Sequence, residues 1–96
     1  MKFHDLPKET RLLIFMLHLE ANANTFFSIA EHSQSVIDEL HITKNKHSLS
    51  SMLYTLSSTK GHIISNKHGL WRLRMSGQKI AIDGLSKCDS DIPSIA

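Results

Sequence analysis

The sequence lacks most of the features that mark a membrane or secreted protein. Cys88 is the single cysteine among the 96 residues, so no disulfide can form within the chain, which fits a reducing cytoplasm. The longest apolar run, residues 12–17, has six residues, far fewer than the roughly 20 that cross a bilayer. The start of the sequence also lacks the apolar core and cleavage site of a signal peptide. We therefore expect a cytoplasmic protein that does not contact membranes.

The residues that catalysis and metal binding require are also missing or dispersed. The acidic residues are scattered, Cys88 lies in a polar terminal stretch, and no glycine-rich phosphate loop is present. Neither His41 with His47 nor His62 with His68 has the spacing of a recognised zinc site. The sequence therefore predicts a protein that is not an enzyme and needs neither a metal nor a cofactor. It also gives no sign of a site for a small-molecule effector.

Acidic residues are absent from the middle of the chain. All nine lie outside residues 40–82, whereas that stretch holds seven of the eleven Lys and Arg, so the net charge of +2 conceals a central segment of +7. Such segregated charge predicts a surface that meets a polyanion, and protonation of the central histidines below neutral pH would add to it. The central basic residues are Lys44, Lys46, Lys60, Lys67, Arg72, Arg74 and Lys79.

The first predicted helix runs from Pro7 to about Ala21, because proline suits the first helical position. Its centre is apolar around the whole circumference, whereas a surface helix in a small domain normally shows only an apolar stripe. We expect the surplus apolar surface to form a homodimer interface. The alternative is that neighbouring elements of the same chain wrap the helix completely. The predicted interface residues are Leu12, Phe15, Met16 and Leu19.

Two further helices follow, joined by a short turn. A β-prone segment at residues 25–27 comes first, and it is either a small strand or a pair of core aromatics. Ser28 and Glu31 then match the capping-box pattern, so the second helix is expected from Ser28 to about Leu40. Residues 41–43 form the turn, with Ile42 buried. The third helix, residues 46–59, places an apolar stripe on one side. Helix, short turn and helix with a basic start is a helix-turn-helix pattern.

The opposite side of the third helix is polar and built mostly from short side chains. It is either a solvated face or a contact face. Because Ser and Thr lower helix propensity, they are poor choices for a face that is merely solvated, which favours the contact face. Its members are Asn45, Lys46, His47, Ser50, Ser51, Tyr54, Thr55 and Ser58.

A β-hairpin is predicted after Gly61, which should end the third helix. Residues 66–69 carry a turn signal and residues 70–74 alternate at period two. Trp71 and Leu73 should face inward and Arg72 and Arg74 outward. Ser76 should then cap a short closing helix that runs through residues 80–85. Residues 1–85 are thus expected to form one domain, and residues 86–96 a flexible C-terminal tail.

These elements resemble the winged-helix family over about residues 7–85. The resemblance implies a fold that is mainly α with a small β-hairpin: a winged helix-turn-helix with a three-helix core plus a wing. Residues 46–59 would be the recognition helix, which enters the major groove in many members, and residues 66–69 the wing tip. In other members the same surface binds protein. The residues that carry the resemblance are Leu49, Met52, Leu53 and Leu56, then Lys60-Gly61-His62-Ile63, Gly69-Leu70-Trp71-Arg72-Leu73 and Ser76-Gly77.

One subgroup of the family, the binders of left-handed duplexes, contacts nucleic acid through a helix tyrosine and a wing tryptophan. Tyr54 and Trp71 match that pair. Two features depart from the subgroup: Ser50 stands where those proteins have asparagine, and residues 67–69 replace the wing prolines. Binding of left-handed duplexes is therefore a minor alternative.

The expected function is a small transcriptional regulator that binds double-stranded DNA as a homodimer. Its Lys and Arg side chains would mostly reach phosphates, while base reading would fall to Asn45, His47, Ser51, Tyr54 and Thr55. The alternative is a protein-interaction module whose hydrophobic anchors would be Phe26, Phe27 or Tyr54. The full set of predicted nucleic-acid-binding residues is Lys44, Asn45, Lys46, His47, Ser50, Ser51, Tyr54, Thr55, Ser58, Lys60, Lys67, His68, Arg72 and Arg74.

Overall fold

The computed structural model describes residues 2–88, and its fold is mainly helical with one small antiparallel sheet. The predicted fold class is confirmed at that level. Most of the predicted tail, residues 89–96, lies outside the described residues. In chain order the elements are a 3-10 turn at Phe3–Asp5, α1 (Lys8–Ala23), a helical segment at residues 30–39, α2 (Lys46–Tyr54) with a π-helical extension at Thr55–Thr59, β1 (Ile63–Ser65), β2 (Trp71–Leu73) and α3 (Met75–Ser86).

The first helix, α1, is the centre of the core. It begins one residue after Pro7 and ends at Ala23, where Asn24 adopts a left-handed conformation (φ 61°) and its N–H donates to the carbonyl of Glu20 at 2.8 Å. It packs against α3 and β2. The contact with α3 is close because Gly84 has no side chain: a Cβ there would lie 2.7 Å from the Thr10 methyl group.

The four residues that the sequence assigned to a dimer interface do not form an exposed surface. Leu12, Phe15 and Met16 have no exposed area, and Leu19 is 8% exposed. These four side chains belong to one buried cluster of the same chain, which also includes Phe3 and Leu6 from the segment before α1 and Ala81 from α3. The prediction of an α1 interface is therefore wrong for these four residues, and the complete wrapping that was its alternative is what the structure shows.

The helical segment at residues 30–39 is less regular than predicted. It begins with a 3-10 turn, Ala30–His32, and ends with a π-helical turn, Ser35–Glu39. Ser28 lies before the helix, and its hydroxyl accepts from the N–H of Glu31 at 3.4 Å. After the last turn, His41 has a left-handed backbone (φ 52°) and Ile42 is fully buried, as predicted.

The helix α2 and its extension reproduce the predicted span of residues 46–59. The Asn45 side chain caps the start by accepting from the N–H of Ser48 at 2.8 Å. Gly61, with φ 68°, ends the extension as predicted, and the N–H of the next residue, His62, donates to the carbonyl of Leu56 at 2.8 Å. The apolar stripe faces the core: Leu49, Leu53 and Leu56 are buried and Met52 is half-buried.

The predicted hairpin is present, with Ile63 opposite Leu73, Ile64 opposite Arg72 and Ser65 opposite Trp71. Asn66 holds its turn, because its side-chain oxygen accepts from the N–H groups of both His68 and Leu70. The β-prone segment at residues 25–27 does not form a strand, but its last residue, Phe27, forms an isolated bridge with Trp71 on the other side of β2. Phe27 is also buried in the core and Phe26 is half-buried, which agrees with the second interpretation of residues 25–27, a pair of core aromatics.

The last helix, α3, starts earlier than predicted. Arg74 occupies the capping position, and Ser76 lies inside the first turn. The hydroxyl of Ser76 instead lies 2.9 Å from Nδ1 of His62 and 3.4 Å from the carbonyl oxygen of Gly61, which it approaches as a donor. The prediction that Ser76 caps this helix is therefore wrong, and its role is to join α3 to the residues between α2 and β1.

Candidate nucleic-acid interface

The polar side of α2 forms an exposed ridge. Tyr54 is its largest member, with 67% of its surface exposed, and it stands among short hydroxyl side chains. Apart from Thr55, each residue that the sequence assigned to this side is exposed. Thr55 is half-buried, and its hydroxyl donates to the carbonyl of Ser51 at 3.0 Å, so it is less available for reading bases than predicted. The exposed members are Asn45, Lys46, His47, Ser50, Ser51, Tyr54 and Ser58.

The start of α2 combines exposed positive charge with a structural cap. Lys44, Lys46 and His47 are exposed there, at the end where a helix carries its partial positive charge. Asn45, which was predicted to read bases, uses its side-chain oxygen to cap the helix. The amide nitrogen of Asn45 remains available as a donor toward a ligand.

The hairpin presents further positive charge at its outer face and tip. Arg72 is exposed on the face of β2 that points away from the core, beside the partly exposed Ile64 of β1. Lys67 and His68 are exposed at the turn, and Arg74 is exposed where β2 leads into α3. These positions agree with the predicted outward orientation of the basic side chains.

A groove of about 590 Å³ runs between α2 and the hairpin and reaches the helical segment at residues 30–39; we call it the hairpin-side groove. Tyr54 and Trp71, the only tyrosine and tryptophan of the chain, both line it. Buried Leu49 and Leu53 lie beneath them. The helix ridge and the hairpin therefore border one continuous concave surface.

On its other flank, α2 faces the start of α1 across a second groove of about 600 Å³, the α1-side groove. Glu9 of α1 and His47 and Ser51 of α2 are among the residues that line it. One carboxylate oxygen of Glu9 lies 2.7 Å from Nζ of Lys60. The other is buried and has no hydrogen-bond partner within residues 2–88.

The Glu9 pair changes the role expected for Lys60. Lys60 was predicted to be one of the cations that reach phosphates, but it is held by a carboxylate 51 residues away in the sequence. An exposed ion pair is weak, yet it neutralises this end of the basic surface. No local sequence signal pointed to Glu9, because the pairing depends on the tertiary fold.

Glu20 is a second residue that sequence analysis missed. Its two carboxylate oxygens accept from the backbone N–H of Leu73 at 2.8 Å and from the Gln78 side chain at 3.0 Å. It thereby ties α1 to both β2 and α3. Glu20 therefore fixes the base of the hairpin, and it lines a small surface pocket beside the exposed Arg72.

Other kinds of site find no support in residues 2–88. No group of three or more His, Cys, Asp or Glu side chains is arranged to hold a metal ion in that range. None of the helices there is long and apolar enough to span a bilayer. No match to this chain was found among protein families, curated proteins or solved structures. Its function must therefore be inferred from its own residues.

Proposed function

We propose that the chain is a winged helix-turn-helix protein that binds double-stranded DNA as a small transcriptional regulator. The observation that carries the proposal is the exposed polar ridge of α2 beside a basic hairpin, in a stretch of 43 residues (40–82) without an acidic side chain. The order of elements supports the fold: three helical segments, then a hairpin whose second strand leads into a closing helix.

In this proposal, α2 enters the major groove with its ridge toward the bases. An α-helix fits that groove, and short Ser side chains let the helix backbone approach the base edges closely. Lys44, Lys46, Arg72 and Arg74 bind phosphates on either side and fix the register of the protein. Because no arginine or glutamine lies on the ridge, sequence preference rests largely on the shape of the duplex.

Homodimer formation remains part of the proposal, but it must use residues other than those of the α1 core. A dimer would read two half-sites about one helical turn apart. On α3, Met75 is 86% exposed and Ile82 is 56% exposed. A spacing of seven residues places both on one face of the helix. This face is therefore the first candidate for the dimer interface, and sedimentation of a Met75→Ser, Ile82→Ser variant tests it by measuring the mass of the protein in solution.

The central experiment is binding to a mixed-sequence DNA duplex over a series of salt concentrations. Each phosphate contact contributes about −0.9 to the log-log slope. An Arg72→Ala, Arg74→Ala variant should therefore have a slope shallower by about two units. The matched control is Lys2→Ala, Lys87→Ala, which removes the same charge from exposed positions outside residues 40–82. That control should leave the slope nearly unchanged.

Absence of binding at low salt would contradict the proposal and favour a protein-interaction module. The structure narrows that second candidate. Phe27 is buried and Phe26 is half-buried, so of the three predicted anchors Tyr54 alone is mostly exposed. Preferential binding to a left-handed duplex of alternating C and G would instead favour the minor alternative, for which the shared position of Tyr54 and Trp71 on one groove is the supporting observation.

A further inference from the structure

The hairpin-side groove has the size and shape of a small-molecule site. Its volume of about 590 Å³ lies within the range of roughly 300–1,000 Å³ that is typical of ligand pockets. Three separate elements line it: the segment at residues 30–39, α2 and the hairpin. A ligand would therefore contact parts of the chain that the fold holds in fixed relative positions.

The floor of the groove is apolar. Ile29, Leu49 and Leu53 line it, and each is at least nine-tenths buried. Trp71 lines it from the inner face of the hairpin and is half-buried against the core. A flat apolar body fits such a floor, because an indole face stacks favourably on another aromatic ring.

The rim of the groove carries hydrogen-bond donors and one positive charge. Lys46 is the charged residue that lines it, and Ser50, Ser58 and Ser65 contribute hydroxyl groups. Among the described residues, no Asp or Glu lines the groove, and no hydrogen bond or ion pair engages the side chain of Lys46. The rim is therefore complementary to an anionic group and not to a cation.

Tyr54 completes the combination of aromatic and basic groups. Its ring lines the groove and is mostly exposed. Within residues 2–88 it makes no ring contact and its hydroxyl has no hydrogen bond. It can therefore pack against a ligand without first giving up an interaction within the protein.

We infer that the hairpin-side groove binds a small planar aromatic anion, with its ring against Trp71 and Tyr54 and its anionic group at Lys46. This goes beyond DNA binding, because the ligand is a free small molecule. Lys46, Ser50, Tyr54 and Ser58 belong both to this groove and to the proposed DNA surface. The two ligands would therefore compete, and the small molecule would release the protein from DNA.

The test uses 2-naphthoate as the probe and 2-naphthamide as its uncharged counterpart. Because Trp71 is the one tryptophan, its indole N–H gives a single resonance that reports directly on the groove. Naphthoate should shift this resonance saturably, and naphthamide should bind about tenfold more weakly because it lacks the charge-assisted contact. Lys46→Ala should lower the naphthoate affinity by a similar factor. The matched control, Lys44→Ala, removes an exposed lysine that does not line the groove, and should bind naphthoate as the unmodified protein does.

Three results would overturn the inference: no saturable shift of the Trp71 resonance, equal affinities for naphthoate and naphthamide, or equal losses in the two lysine variants. The result is also separable from the DNA proposal. A protein that binds naphthoate in this way but shows no affinity for duplex DNA would leave the groove assignment intact and remove the proposed function. If DNA does bind, saturating naphthoate should weaken that binding in the unmodified protein and much less in Lys46→Ala at the same concentration.

Discussion

The two flanks of α2 differ in a way that the sequence of α2 itself does not show. On the hairpin side, the groove is lined by two aromatic rings, hydroxyl groups and Lys46, without a carboxylate among the described residues. On the α1 side, a groove of similar volume contains Glu9, which holds Lys60 at 2.7 Å. One flank therefore keeps its positive charge available to a ligand, and the other neutralises part of it within the chain.

This difference shows that charge segregation along a sequence is not the same as charge segregation on a surface. Residues 40–82 contain no acid, yet one edge of the surface that they form is bordered by a carboxylate from α1. The hairpin-side flank is consequently the better candidate for a strong polyanion contact. The predictions below either test that asymmetry or test the packing that produces it.

The largest expected effect comes from the side chains that support the two flanks. Leu53 lines the hairpin-side groove and is 8% exposed, whereas Met52 lines the α1-side groove and is half-buried. Leu53→Ala should lower the free energy of unfolding by about 3 kcal/mol, because it leaves a cavity in the core. Met52→Ala should cost roughly half as much, since part of its side chain is already in water. Urea denaturation measures both, and equal losses would mean that the two flanks are equally well packed.

A somewhat smaller loss of stability is expected from substitution of Glu20. This residue anchors the hairpin, which forms one wall of the hairpin-side groove. Glu20→Ala would leave the N–H of Leu73 without its acceptor, and an unsatisfied donor of this kind costs about 1–3 kcal/mol. Glu20→Gln keeps one acceptor oxygen and should cost less. The measurement is denaturation of both variants, together with amide exchange at Leu73, which should quicken in Glu20→Ala. Unchanged exchange would show that the Glu20 contact does not hold β2.

The asymmetry itself is tested by Glu9→Gln. Removing this carboxylate should release Lys60 for a phosphate, so the log-log salt slope of DNA binding should steepen by about 0.9. The matched control is Glu39→Gln, which removes an exposed negative charge from the segment at residues 30–39. Equal changes in the two variants would mean that only net charge matters, and that the Glu9 pair has no special role.

Sequence patterns predicted those elements whose determinants are local. The stripe of Leu49, Leu53 and Leu56 identified the third helix, and Gly61 marked its end. Asn66 and Gly69 marked the turn of the hairpin. In each case the signal lies within a few residues of the structure that it specifies, since helix ends and tight turns depend on backbone conformation and on hydrogen bonds between near neighbours.

The predictions that failed depend on contacts between distant residues. An apolar circumference at residues 12–17 indicates burial but does not reveal which chain provides it. Here the cluster that buries these residues includes Phe3, Leu6 and Ala81 of the same chain. Ser76 matched a capping pattern, but its hydroxyl instead contacts the carbonyl of Gly61 and the ring of His62, 14 to 15 residues away in the sequence. The pairing of Lys60 with Glu9 joins residues 51 positions apart. The sequence therefore predicted the exposed basic and hydroxyl residues of the candidate site. It did not predict that Lys60, one of these basic residues, forms an ion pair within the chain.

The smallest expected effect separates a contact face from a solvated one. Ser50 lines the hairpin-side groove and Ser51 the α1-side groove, and both are exposed on α2. Replacing either by Ala should raise stability by about 0.5 kcal/mol, because alanine has the higher helix propensity. If the hairpin-side flank is the stronger contact, Ser50→Ala should nevertheless weaken DNA binding more than Ser51→Ala does. Opposite changes in stability and affinity at Ser50 would explain why serine is found at a position where it weakens the helix. A gain in stability without any loss of affinity at either position would instead make this ridge a solvated surface, and the DNA contact would have to lie on the hairpin alone.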